Sequence, residues 1–190
     1  MRNDDVYFQL YLIRHAESLG NIDTDEDFDR MNPPLSPHGE EQVSALSGRF
    51  ARNKPDFLYS SPLFRARQTA EALNMDISVL NELAEKDVSV DVNGFSLICE
   101  SDEACAERAE KLIKMLREKH RGESVALVSH GEFIQFLIRA ALGIKDVKFC
   151  VYNASITKIN FRENGKENKL ALQNDISHLL HSDGDRLFWM

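Results

Sequence analysis

Four side chains that can hold positive charge stand at the boundaries of apolar segments in this 190-residue chain. Arg14 and His15 end one apolar run, His130 ends a second, and Arg65 follows shortly after a third. If they meet, two arginines and two histidines form a receptor for a compact dianion such as phosphate, because the planar guanidinium fork matches its oxygens. The helices expected after Pro62 and His130 would add backbone N–H groups and a favourable dipole.

The elements that must bring these residues together follow from the hydrophobic pattern. Short apolar strands alternate with amphipathic helices, which implies a three-layer α/β/α sandwich with a mainly parallel sheet. The carboxyl ends of parallel strands share one edge, where ligands bind, so we expect the four residues to converge there. The predicted strands are Val6–Ile13, Phe57–Tyr59, Ser78–Leu80, Ser124–Ser129, Ala154–Phe161 and Leu170–Gln173, the last two around a turn at Gly165. The predicted helices are one capped by Ser36, one from Pro62 to Leu73, Asp102–His120 and Glu132–Leu142.

One stretch departs from the alternation of strands and helices. Between residues 87 and 99, apolar residues alternate on both sides of Asn93-Gly94, a pair that type I′ turns favour. The pattern therefore predicts a β-hairpin over residues 87–99, inserted between the third strand of the sheet and the long helix that follows.

Composition limits the classes of function. The formal net charge of −8 argues against non-specific binding to nucleic acid, although a local arginine cluster still accepts an anion. The cysteines, Cys99, Cys105 and Cys150, are odd in number and lack metal-ligand spacing, which favours free thiols over a disulfide framework or a zinc site. No stretch has the roughly 20 apolar residues of a membrane span or the pattern of a signal peptide. We expect one cytoplasmic domain over residues 1–190, with no nucleic-acid or membrane partner.

Four motifs occur in an order known from one protein family. They are RHAES at 14–18, LSPHGEEQ at 35–42, SSPLFRARQTAE at 60–71 and VSHGEFI at 128–134. Together they resemble the histidine phosphatase superfamily, which contains the cofactor-dependent phosphoglycerate mutases and many small phosphatases. NASITKI at 153–159 and LQNDISHL at 172–179 also resemble late elements of that family. The resemblance thus covers nearly the whole chain and implies a phosphoglycerate mutase-like fold.

The resemblance implies a role for each cationic residue. His15 matches the nucleophile that takes up the phosphoryl group as a phosphohistidine, and Arg14, Arg65 and His130 match the residues that bind this group, His130 being catalytic as well. Asn21 lies where the family often has an asparagine that contacts phosphate. Because positive side chains neutralise the phosphoryl oxygens, usually the main catalytic effect in this chemistry, we expect no metal and no other cofactor.

The general acid of the family usually follows a short strand in an L-x-E pattern. Leu80-Asn81-Glu82 fits this pattern, so we predict Glu82 as the acid, its pKa raised by the charge of bound phosphate. The G-x-W-E-G tract that often follows in the family is missing, which leaves Glu85 and Asp87 as rival acids. We also expect a substrate lid around residues 82–101, where the family places part of its lid.

These expectations combine into a metal-independent phosphomonoester hydrolase that acts on a small-molecule substrate through a phosphohistidine. One alternative is a cofactor-dependent phosphoglycerate mutase-type phosphotransferase, but mutases of the family tend to be longer, with insertions that enclose the site. The other alternative is a non-catalytic phosphate-binding protein, which an intact set of four cationic residues argues against. Neither the physiological substrate nor the oligomeric state follows from the sequence.

Overall fold

The computed structural model describes residues 6–25, 27–91, 94–163 and 167–179. Within them, eight strands and four α-helices follow one another along the chain, joined by loops and short 3-10 turns. The strands are β1 (Val6–Arg14), β2 (Phe57–Ser60), β3 (Ile77–Val79), β4 (Val88–Asp91), β5 (Gly94–Leu97), β6 (Ser124–Ser129), β7 (Ile156–Arg162) and β8 (Lys169–Asp175). The helices are α1 (Pro37–Phe50), α2 (Phe64–Glu71), α3 (Asp102–Lys119) and α4 (Gly131–Leu142).

A six-stranded sheet in the order β3-β2-β6-β1-β7-β8 forms the centre of the fold. Strands β3, β2, β6 and β1 run parallel, whereas β7 and β8 are antiparallel to their neighbours. This arrangement confirms the predicted mainly parallel sheet. It also places the carboxyl ends of β1, β2 and β6 side by side, because β6 lies between the other two.

Helices cover the sheet on both faces, which confirms the three-layer architecture. Successive residues of a strand point to opposite faces, and the core divides accordingly. Leu127 packs in one core with residues of α3 and α4, whereas its neighbours Ala126 and Val128 pack in another with residues of α1 and α2. Strand β6 is buried from its second residue to its last, as expected of a strand covered on both faces.

Local sequence signals set the helix boundaries. The Ser36 side chain accepts the N–H of Gly39 at 3.0 Å, with Pro37 opening α1, so the predicted N-cap is confirmed. Helix α4 ends at Gly143, whose φ of 65° is a left-handed conformation that glycine adopts readily. Helix α2 begins at Phe64, two residues later than predicted. None of the helices in the described ranges combines the length and the apolar character needed to cross a membrane.

The predicted hairpin forms a separate two-stranded sheet. Strand β4 pairs with β5 in antiparallel register, from Val88 with Leu97 to Asp91 with Gly94. The Leu97 side chain is 72% exposed, so part of the hairpin's apolar surface faces outward. Asn93 at the predicted turn, like Gly165 at the turn predicted between the last two strands, lies outside the described residues.

Candidate active site

The ends of β1 and β6 bring the two histidines of the predicted pocket together. Arg14 and Ser129 are register partners at the last position of each strand, so His15 and His130 follow at the same level. The backbone N–H of His15 donates to the carbonyl of Ser129 at 2.9 Å. The two imidazole rings lie 5.1 Å apart between centroids, as the shared edge of a parallel sheet requires.

The two arginines approach this pair from different elements. Arg65, in the first turn of α2, donates from Nε to Nε2 of His15 at 3.2 Å. Arg14 donates from Nη1 to the carbonyl of Val151 at 2.8 Å, which holds its guanidinium beside the start of α4. A Cβ atom at Gly131 would lie only 3.2 Å from Arg14 Nε, so glycine permits this close passage. The structure thus brings the four predicted cationic residues into one cluster.

His15 is held in a single tautomer that leaves the lone pair of Nε2 directed toward Arg65. Its Nδ1–H donates to the carbonyl of Ala16 at 2.7 Å, so the lone pair lies on Nε2. Burial lowers the pKa of His15 well below its usual value of 6.5, and the charges of Arg65 and Arg14 lower it further. The imidazole is therefore neutral at neutral pH, as a nucleophile must be.

His130 is fully buried and offers a second ring to the same cluster. Its Nε2 lies 2.7 Å from Ser61 Oγ. We assign the Ser61 hydroxyl as the donor in this hydrogen bond, because Ser61 Oγ already accepts the N–H of Leu63. Burial, followed by the charge of Arg65, lowers the pKa of His130 well below its usual value. Because Nε2 accepts the hydrogen bond from Ser61, the other ring nitrogen, Nδ1, carries the N–H.

Two buried polar atoms of the cluster make no hydrogen bond within the described part of the chain. They are Nδ1 of His130 and Nε of Arg14. An unsatisfied buried donor is costly, typically by about 1–3 kcal/mol. Both atoms act as donors in the protonation state described above, so they can bind an acceptor such as the oxygen of an anion.

A carboxyl group also lies in the cluster, and it belongs to Glu85. Its Oε1 accepts the N–H of Phe133 at 2.9 Å and that of Lys86 at 3.0 Å, so the carboxylate sits on the first turn of α4. Desolvation raises the pKa of Glu85, although these hydrogen bonds and the charge of Arg65 oppose the rise. The charge of Glu85 in turn raises the pKa values of Arg14 and Arg65, against the lowering by burial.

The structure does not bring Glu82, the predicted acid, into this cluster. Glu82 is exposed and lines a surface depression with residues of α3, including Glu107 and Lys111. The 3-10 turn Asn81–Leu83 buries Leu83 and leaves Glu82 on the outside. A second L-x-E triplet, Leu83-Ala84-Glu85, overlaps the first, so the pattern by itself did not distinguish Glu82 from its rival Glu85.

Asp87, the other rival acid, and Asn21, the predicted phosphate ligand, both form hydrogen bonds to nearby residues. Asp87 holds the base of the hairpin: its Oδ1 accepts the N–H of Glu100 at 2.7 Å and its carbonyl accepts that of Ile98 at 2.8 Å. Asn21 is exposed, and its Oδ1 accepts both the N–H and the Oγ–H of Ser18, at 3.0 and 2.9 Å. Its amide oxygen therefore closes the local turn, which leaves the amide nitrogen as its donor toward a ligand.

Residues of the LSPHGEEQ motif form hydrogen bonds to the RHAES motif. Glu17 is buried, and its carboxylate accepts the Oγ–H of Ser36 at 2.6 Å while its carbonyl accepts the N–H of the same residue at 3.0 Å. Its own N–H donates to Oε1 of Gln42 at 2.9 Å. A Cβ atom at Gly39 would lie 2.0 Å from the Glu17 carbonyl oxygen, which requires glycine there. The start of α1 therefore anchors the loop after His15, a role not predicted from the sequence.

Comparison with known proteins agrees with this geometry. Residues 10–95 and 89–175 match the profile of the histidine phosphatase superfamily (branch 1). The chain is 29% identical to a probable phosphatase of Schizosaccharomyces pombe over 73% of this chain, and it spans 58% of that protein's length. It is 27% identical to phosphoserine phosphatase 1 of Hydrogenobacter thermophilus, with 90% of this chain and 94% of that protein covered.

A solved structure extends the comparison to the fold. A phosphoserine phosphatase mutant from Entamoeba histolytica, in complex with phosphoserine, superposes with a TM-score of 0.71 at 22% identity. The match covers 91% of this chain and all of the other. Because the family profile matches residues 10–95 and 89–175, this chain belongs to the histidine phosphatase superfamily.

Proposed function

We propose that this protein is a phosphomonoester hydrolase in which His15 is the nucleophile and Glu85 the general acid. The observation that carries the proposal is the state of His15: a buried, neutral imidazole with Nδ1 bound to a carbonyl and Nε2 beside Arg65 Nε at 3.2 Å. An anion that contacts Nε2 of His15 also contacts the guanidinium of Arg65. Nucleophile and charge-neutralising group therefore act on the same phosphoryl group.

In the first step, Nε2 of His15 forms a bond to phosphorus while the ester P–O bond breaks. The alkoxide that leaves takes the proton of the Glu85 carboxyl, and the phosphoryl group stays on His15 as a phosphohistidine. Arg14 and Arg65 neutralise its oxygens throughout, because both remain charged at neutral pH even though burial lowers the pKa of Arg65 to about 10. His130 Nδ1–H adds a further donor.

In the second step, the roles of acid and base are reversed. The Glu85 carboxylate accepts a proton from water as the water oxygen bonds to phosphorus and the N–P bond breaks. Inorganic phosphate leaves, and His15 and protonated Glu85 are restored. A carboxyl group whose pKa is raised by desolvation, and raised further by bound phosphate, is suited to both tasks near neutral pH.

We favour hydrolysis over the transfer of the phosphoryl group between phosphoglycerates. The two curated relatives described above carry phosphatase names, and both are more similar to this chain than a probable phosphoglycerate mutase of Shigella dysenteriae at 25% identity. We further propose that the β4–β5 hairpin covers the leaving-group side of a small phosphomonoester, because β4 starts three residues after Glu85.

The test of the proposed function is the loss of turnover in His15→Ala. With p-nitrophenyl phosphate, we expect His15→Ala to lose hydrolysis while its thermal unfolding remains cooperative, and His38→Ala to keep it, because His38 lies in the first turn of α1. Wild-type protein quenched during turnover should carry an acid-labile phosphoryl label that His15→Ala lacks. Undiminished turnover by His15→Ala would refute the nucleophile. Phosphoglycerate isomerisation that depends on a bisphosphoglycerate primer would favour the mutase instead.

A further inference from the structure

The segment that precedes Glu85 is held by side chains from two other elements. Arg108 of α3 donates from Nη1 to the carbonyl oxygens of Glu82 at 2.8 Å and Ala84 at 2.9 Å. Ser129 of β6 donates from Oγ to the carbonyl of Leu83 at 2.8 Å. Three consecutive carbonyls are thus bound by side chains, and the last of them belongs to the peptide that joins Ala84 to Glu85.

Arg108 also supports the residue that binds the Glu85 side chain. The central carbon of its guanidinium lies 3.8 Å from the centroid of the Phe133 ring, a close cation–π contact. Phe133 is fully buried, and its N–H donates to Glu85 Oε1 at 2.9 Å. The Arg108 guanidinium therefore contacts both the peptide that precedes Glu85 and the residue whose N–H binds the Glu85 carboxylate.

A two-point ion pair fixes the orientation of that guanidinium. Arg108 donates from Nε to Oε1 of Glu100 at 2.9 Å and from Nη2 to Oε2 at 2.6 Å. The pair is mostly shielded from solvent, with side-chain exposures of 19% for Arg108 and 11% for Glu100. Glu100 also donates its N–H to Asp87, two residues beyond Glu85. The guanidinium thus links the segments on both sides of the acid.

We propose that Arg108 is a positioning residue for the general acid: it holds the 82–85 segment so that the Glu85 carboxyl reaches the leaving oxygen of the substrate. The inference rests on the proposed role of Glu85 in the function above. Proton donation requires hydrogen-bond reach, and a misplacement of about 1 Å costs on the order of 10²-fold in rate. Lysine cannot replace arginine here, because a single ammonium lacks the planar fork that meets a carboxylate, two carbonyls and a ring face together.

The test compares substrates that do and do not need a proton. The leaving group of phosphoserine, an alkyl phosphate ester, is the serine alkoxide, which must be protonated, whereas p-nitrophenolate leaves without a proton. For Arg108→Lys we expect kcat/KM to fall roughly 10- to 100-fold with phosphoserine and less than about threefold with p-nitrophenyl phosphate. The ratio kcat/KM reports only the steps up to phosphohistidine formation, so the later hydrolysis step does not enter the comparison.

Arg117→Lys is the matched control on the same helix. Arg117 donates from Nε to the Tyr7 hydroxyl and contacts the rings of Tyr7 and Phe161, so it has the same kinds of contact away from the acid. We expect Arg117→Lys to leave both kcat/KM values within about twofold of wild type. If Arg108→Lys does not fold, Glu100→Gln takes its place, because it weakens the ion pair that orients Arg108.

A double-mutant cycle separates the failure of this inference from that of the proposed function. In a Glu85→Gln background, Arg108→Lys should cause no further loss with phosphoserine, because the positioned group is already gone. Equal losses with both substrates, or additive losses in the cycle, would overturn the positioning role while leaving Glu85 as the acid. If Glu85→Gln lowers kcat/KM equally for phosphoserine and p-nitrophenyl phosphate, Glu85 is not the acid and the proposed function is contradicted at that point.

Discussion

The carboxylate of Glu85 accepts the backbone N–H of Phe133 at 2.9 Å, three residues after His130 at the start of α4. The helix that follows His130, the histidine proposed to bind phosphate, therefore also binds the carboxyl group proposed as the general acid. Movement of the Glu85 segment away from α4 would separate the proposed acid from the proposed nucleophile, His15. This contact makes the acid assignment testable.

Glu85→Gln and Glu82→Gln distinguish the carboxyl in the cluster from the exposed one. We expect Glu85→Gln to lower kcat/KM for an alkyl phosphate by about 10²-fold or more, because the leaving alkoxide loses its proton donor. The same variant should change kcat/KM for p-nitrophenyl phosphate only a few-fold. Glu82→Gln should leave both values near wild type, and a selective loss in that variant would restore Glu82 as the acid.

The stability of the protein should decrease as the solution becomes acidic. Burial and nearby arginines lower the pKa values of His15 and His130 in the folded state well below 6.5, whereas both are ordinary in the unfolded chain. As pH falls below about 6.5, the unfolded chain binds protons that the folded protein does not, so the free energy of unfolding decreases toward the lower folded-state pKa values.

Urea unfolding at pH 7.5 and pH 5.5 measures this loss. His15→Asn should lose less stability between the two pH values than wild type, since one of the depressed groups is gone. His38→Asn, which changes a histidine in the first turn of α1, should keep the wild-type difference. A wild-type stability that is unchanged or higher at pH 5.5 would contradict the neutral, buried state of the two site histidines.

Gly131→Ala should weaken phosphate binding without unfolding the protein. The added methyl group would lie 3.2 Å from Nε and 3.3 Å from Cζ of Arg14, so the guanidinium must shift by a few tenths of an ångström. Weakening one charge-assisted hydrogen bond in this way should raise the inhibition constant of vanadate roughly tenfold.

Gly48→Ala is the control for that variant. A Cβ atom at Gly48, inside α1, would have no neighbour within 4 Å, and alanine favours the helix by about 0.5–1 kcal/mol. We expect it to stabilise the protein slightly and to leave vanadate inhibition unchanged. Unaltered inhibition in Gly131→Ala would mean that Arg14 does not hold the anion through this side of its guanidinium.

Local sequence patterns were sufficient to locate the main part of the cluster. Arg14, His15 and His130 directly follow or end apolar strands, and parallel strands carry their carboxyl ends to one edge, so two simple rules predicted that these residues meet. Arg65 followed from the same rule applied to the strand that precedes α2. The family and the mainly parallel α/β fold, predicted on the same residues, are confirmed.

The choice of carboxyl group was decided by tertiary structure alone. Glu82, Glu85 and Asp87 lie within six residues, two of them in L-x-E triplets, and nothing local ranks them. The carbonyls of residues 82–84 are bound by Arg108 and Ser129, which lie 24 to 46 residues further along the chain. The hydrophobic pattern of the sequence is enough to show which strands end in cationic residues. Only the folded chain decided which acid faces them, because long-range hydrogen bonds orient a short turn that has no hydrophobic period of its own.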